Sequence, residues 1–141
     1  MNDELWCVIC ISSAQEDLTM SEAEQMLTYA RADRQSKNIT SLVLYSNKNV
    51  LILLEGDKAM VQEELKILTV HRGHHSLIKM YDKPITERYF GDYSLVFKSL
   101  SKEYQNLDDF KDPEQLEYFN EFLSLNQPIP IFVKSFIKNN G

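Results

Sequence analysis

The sequence predicts an α+β sandwich: a mixed five-stranded sheet carrying two helices on one face, built in the order β-α-β-β-α-β-β. Three observations lead there. Short apolar runs rich in β-branched residues recur along the first hundred or so residues. Two stretches of helical periodicity, each opened by a capping residue, separate them. A four-residue polar segment, Ser46-Asn47-Lys48-Asn49, splits two of the runs as a hairpin turn would.

The first run, Leu5 to Ile11, suits a central strand buried on both faces. Thr19 with Glu22 and Ser21 with Glu24 have capping-box spacing, and Ala23, Met26, Leu27 and Ala30 follow at helical intervals, so helix one is expected to end near Lys37. Ile39 to Tyr45 and Val50 to Leu54 form the hairpin. Asp57 caps a second helix whose inner face carries Val61, Leu65 and Leu68, with a break near Gly73. Ser76 to Tyr81 and Tyr93 to Phe97 complete the sheet. Residues 1–100 therefore read as one domain, and 101–141 as a helical extension. Asp112-Pro113 starts its first helix, with Leu116, Phe119 and Leu123 at core spacing. Asn126-Gln127-Pro128 breaks that helix, and Pro130 opens a last short one bearing Phe132, Val133, Phe136 and Ile137. With Tyr118, Phe122 and Ile131, these large apolar groups either cover the open face of the sheet or make an oligomer or partner interface.

Composition narrows the function classes. A net charge of -6 and the lack of a Lys/Arg cluster argue against nucleic acid. No apolar run approaches the roughly 20 residues of a bilayer span. The start, Met1-Asn2-Asp3-Glu4, lacks the positive charge of a signal peptide, so a cytoplasmic location is expected. Cys7 and Cys10 match C-x-x-C, but their odd separation within a strand sends the thiols to opposite faces, away from redox chemistry. His71, His74 and His75 fall in an expected loop that lacks further ligands, so no metal site is expected. The four glycines are scattered, ruling out a phosphate loop, and no nucleophile elbow or Ser-His-Asp set is present. Asp108-Asp109 and Glu114-Glu117-Glu121 read as solvated helix charges. The chain is not expected to be an enzyme.

A spaced set of motifs covers about the first hundred residues. It runs from Asp17-Leu18-Thr19 through Tyr29-Ala30-Arg31, Ile39-Thr40-Ser41-Leu42-Val43-Leu44-Tyr45 and Leu53-Leu54-Glu55-Gly56 to Glu87-Arg88-Tyr89-Phe90. This pattern resembles the BLUF family of flavin-binding blue-light sensors. The resemblance implies a ferredoxin-like fold in which a flavin ring slides between the two helices. It also implies that a first-strand tyrosine gives up an electron under light, and that a third-strand glutamine bridging tyrosine and flavin rearranges as the signal.

Against that frame the sequence departs at ligand-facing positions. Cys10 stands where the family has its tyrosine, and Ile52 where it has its glutamine. Asp33 and Arg34 replace an asparagine pair; the G-I-T-G turn reads Asn38-Ile39-Thr40-Ser41; Leu95 replaces a methionine in Tyr93-Ser94-Leu95-Val96-Phe97. Of the family's D-x-R-H stretch only His74 keeps register, with Arg72 one position off. Isoleucine has no hydrogen-bonding group, Asp33 only accepts and Arg34 only donates. The expectation is a signalling or protein-interaction module without flavin or photochemistry, its pocket either filled by apolar groups or left as a gap for another ligand. The alternative is an FAD-binding blue-light or redox sensor with an atypical pocket. Either way the expected partners are a protein or a second copy of the chain.

Overall fold

The computed structural model describes residues 4–14, 19–46, 49–70 and 74–140. In chain order the elements are β1 (Leu5–Ala14), α1 (Met20–Ser36), β2 (Thr40–Ser46), β3 (Asn49–Asp57), α2 (Lys58–Val70), β4 (His74–Pro84) and β5 (Val96–Ser99). Two 3₁₀ turns, Lys102–Leu107 and Asp109–Lys111, lead into α3 (Pro113–Ser124) and α4 (Pro128–Asn140). The sheet order is β4-β1-β3-β2-β5, with β2 and β5 parallel and the other pairs antiparallel. The expected mixed five-stranded α+β architecture is the one observed, although β3 rather than β1 lies at the centre.

Strand alternation sorts the core into two layers. Val8, Cys10, Val43, Ile52 and Leu54 face one way, packing with Ala23 and Leu27 of α1 and Val61 and Leu68 of α2. Cys7, Ile9, Leu42, Leu44, Leu51 and Leu53 face the other way and pack with Phe119 and Phe122 of α3 and Val133 and Phe136 of α4. The two cysteines therefore separate by face, as their spacing requires, and both are buried.

Local chemistry explains the helix ends. Thr19 and Glu22 exchange both bonds of a capping box at the start of α1. At its end, Ile39 N donates to Arg34 O and Asn38 N to Gln35 O, a Schellman arrangement that needs a left-handed residue. Asn38 supplies it with φ 54°, a conformation asparagine tolerates better than most residues. The close approach of this turn explains Gly56: a Cβ there would lie 3.2 Å from Asn38 O.

Three expectations are corrected. Tyr93 to Leu95 do not extend β5, because their carbonyls are taken: Ser41 Oγ donates to Ser94 O, and Arg31 to Leu95 O. Leu116 does not enter the core and is 40% exposed, while Phe122 occupies that stripe with Phe119. The last helix opens at Pro128 rather than Pro130; both prolines lie in its first turn, where a missing N–H costs nothing. The expected turn residues Asn47 and Lys48, the break at Gly73, and His71 and Arg72 lie outside the described residues.

Candidate functional site

The candidate site is the layer between α1 and α2, where they cover β1, β3 and β2. Cys10 and Ile52 are direct register partners across β1 and β3, on the face that carries both helices. The Cys10 thiol donates to Ile52 O at 3.8 Å, and both side chains are almost wholly buried. Burial pushes the Cys10 pKa up to about 12, partly offset by the nearby Arg34 charge. The thiol is therefore protonated at neutral pH and unreactive as a nucleophile. Ile52 contributes only hydrocarbon.

Above this floor sits Arg34, 3% exposed. The helical spacing of Ala23, Leu27, Ala30 and Arg34 places it on the inner stripe of α1. Its Nη1 donates to Ser41 Oγ at 3.1 Å. Its Nε lies 3.9 Å from Glu64 Oε2 of α2 and makes no hydrogen bond among the described residues. Burial lowers the Arg34 pKa, opposed by Glu64, Asp33 and Cys10, but a guanidinium stays charged in this range. Glu64 also accepts from Lys37 Nζ at 2.8 Å, and Lys37 bonds Asp33 at 3.1 Å. A chain of four charged side chains thus joins the end of α1 to the middle of α2.

The remaining sequence-selected residues fall around this chain. Leu95 is buried in the same layer, its carbonyl held by Arg31, which also pairs with Asp109 at 2.6 Å. Asp33 accepts a hydrogen bond from Lys37 Nζ. His74 opens β4 opposite Ala14. The layer between the helices and the sheet brings Cys10, Ile52, Arg34 and Leu95 together. Sequence reasoning missed Glu64 and Lys37. The signal was present: Glu64 lies three residues after Val61 and four before Leu68, a carboxylate on an apolar stripe facing a helix whose own inner stripe ends in arginine.

On the far side of β3, Glu55 is fully buried but satisfied differently. It accepts from Tyr89 N at 2.6 Å, Phe90 N at 2.9 Å and Thr40 Oγ1 at 3.0 Å. These bonds pin the segment after β4 to the sheet. Among the described residues no group of three His, Cys, Asp or Glu is arranged to hold a metal, and no helix is long and apolar enough to cross a membrane.

The family model for BLUF, sensors of blue-light using FAD, matches residues 5–96. No curated protein matches the chain. Among solved structures, the dark state of the BLUF protein BlrB is similar over 86% of this chain and 96% of its own, at 21% identity and a TM-score of 0.67. Klebsiella pneumoniae BlrP1, solved with FMN and cyclic diGMP, is similar over 97% of this chain but 35% of its own, at 15% identity and a TM-score of 0.78. The photo-activated state of BlsA covers 96% of this chain and 94% of its own, at 19% identity and a TM-score of 0.67.

Proposed function

The chain belongs to the BLUF family, and from that premise we propose that it is a signalling or protein-interaction module that works without flavin and without a light reaction of the family kind. The Arg34–Glu64 bridge carries this reading: it runs from α1 to α2 where the resemblance would seat an isoalloxazine ring. A ring entering there would strand two buried charges, which costs several kcal/mol per ion. Below it, Cys10 and Ile52 offer neither a phenol to give up an electron nor an amide to reverse a hydrogen bond. Cavity filling, expected to be apolar, is on this reading apolar at the floor and ionic above it. The module is proposed to be non-catalytic, to act in the cytoplasm, and to signal through a protein partner or a second copy of the chain.

One observation favours a second reading, an FAD-binding sensor with an atypical pocket. Arg34 Nε is a buried donor without a hydrogen-bond partner among the described residues, and a flavin carbonyl is an acceptor. Colour separates the two. Protein purified and then incubated with FAD, FMN or riboflavin is expected to stay colourless after gel filtration. Retained flavin absorbance, or a red shift of it under blue light, would overturn the first reading. Should flavin be retained, Cys10→Tyr with Ile52→Gln is expected to create part of the light-induced shift.

A further inference from the structure

A cavity of about 610 Å³ opens on the opposite face of the sheet, between the end of β4, the segment 85–89 and the α3–α4 turn. That volume is within the usual range for small-molecule sites. Its aromatic lining comes from Tyr81, Tyr89, Tyr118 and Phe122. The rings are held before any ligand arrives. Tyr89 packs edge-on against Phe122 with centroids 5.3 Å apart, the Tyr118 hydroxyl donates to Tyr89 O, and the Tyr89 hydroxyl bonds Gln127.

Charges of both signs surround these rings, but the carboxylates are the ones left without partners. Glu87 and Glu121 line the cavity and are exposed, and neither carboxylate makes a hydrogen bond or ion pair among the described residues. Among the described residues the one lining cation, Arg88, is turned to the strand ends, where it donates to Asn38 O at 2.9 Å and to Thr40 Oγ1 at 3.1 Å. The aromatic surface already attracts a cation from outside the lining: Lys83 Nζ stands 5.8 Å from the Tyr81 ring centroid. Tyrosine faces with nearby carboxylates recognise an ammonium group, through ring quadrupoles and Coulomb attraction together.

We propose that this cavity binds a small organic ammonium cation, its charged head set among Tyr81, Tyr89 and Tyr118 and countered by Glu87 and Glu121. The wall it would press on is bolted to β3 through Glu55 and to the turn ending α1 through Arg88. An occupant thus bears on the chain segment that also supplies Arg34 and Lys37 to the α1–α2 layer. The inference does not rest on that layer being free of flavin.

The test is a titration of the full chain with choline, followed by backbone amide NMR shifts, beside a titration with its neutral tert-butyl isostere. Saturable shifts at Tyr89, Phe122 and Gln127 with choline, and much weaker ones with the isostere, are expected. Glu87→Gln with Glu121→Gln, both at exposed sites, should weaken choline binding roughly tenfold at low salt. Tyr81→Leu should weaken it roughly fivefold. Absence of saturable shifts, equal binding of the isostere, or undiminished affinity in the doubly neutral variant would each overturn the proposal.

Discussion

The two faces of the sheet solve the same problem, covering an apolar strand surface, in opposite ways. Under α3 and α4 the cover is aromatic: Phe90, Phe110, Phe119 and Phe122 interlock at centroid distances of 4.5 to 6.0 Å. Under α1 and α2 the cover is hydrocarbon at the floor but ionic between the helices, where Arg34, Glu64, Lys37 and Asp33 form the bridge. The first arrangement gains from apolar burial and packing. The second gains little, because the Coulomb attraction of a buried pair is largely offset by desolvation. The difference teaches that both faces bury a comparable apolar layer, and that the α1–α2 face adds to it a bridge whose removal as a unit is expected to cost little.

Truncation on the aromatic face is expected to have the largest effect. Phe122→Ala should lower stability by about 4 kcal/mol, measured by urea denaturation, because it leaves a cavity among rings that cannot collapse. A loss as small as that of a surface change would break the comparison. Next comes Glu64→Ala, expected to cost about 3 kcal/mol by leaving Arg34 buried and uncompensated. The double change Arg34→Met with Glu64→Leu should restore most of that loss. If the double variant is as unstable as the single one, the bridge is a net stabiliser and the two faces are more alike than argued.

Glu55 sharpens the comparison, since it is a buried carboxylate on the tail face whose hydrogen bonds all come from neutral donors, with Arg88 acting on it only through its charge. Desolvation raises its pKa, against the lowering from Tyr89 N, Phe90 N, Thr40 and Arg88. The folded protein therefore keeps this proton at a pH where the unfolded chain has released it. The stability it contributes is fully present below the ordinary carboxylate pKa and is lost as pH rises through the raised folded value. Glu55→Gln should remove that slope. It should also cost about 2 kcal/mol at mildly acidic pH, because one amide oxygen cannot serve all three donors. Urea midpoints for both proteins across that pH window measure the difference, and parallel curves would show that Glu55 does not titrate there.

Most of the architecture was legible in the sequence because it depends on local signals: period-2 and period-3.6 patterns, the Thr19–Glu22 capping box, and Asp112-Pro113 opening α3. Cys10 and Ile52 prove to be register partners, which strand order alone does not fix. What was hidden depended on partners distant along the chain. The carbonyls of Ser94 and Leu95 leave the ladder because Ser41 and Arg31 claim them, and no pattern within 93–97 announces that. The bridge was half visible: Arg34 stood out against the family frame, but its partner Glu64 matters only once α1 and α2 are set side by side.

The smallest expected effect tests the periodic reading itself. Leu116, Phe119 and Leu123 share helical spacing, yet Leu116 is 40% exposed while Phe119 is 4% exposed. A helix of period 3.6 admits two neighbouring stripes, and sequence alone does not say which one meets the sheet. The observed choice centres the buried stripe on Phe119 and Phe122, which stack at 6.0 Å. Leu116→Ala should therefore change stability by less than about 0.5 kcal/mol, since it removes little buried surface and alanine favours the helix. A thermal or urea midpoint for Leu116→Ala close to that of Phe122→Ala would mean that α3 presents the other stripe to the sheet, and the aromatic face would have to be redrawn around Leu116.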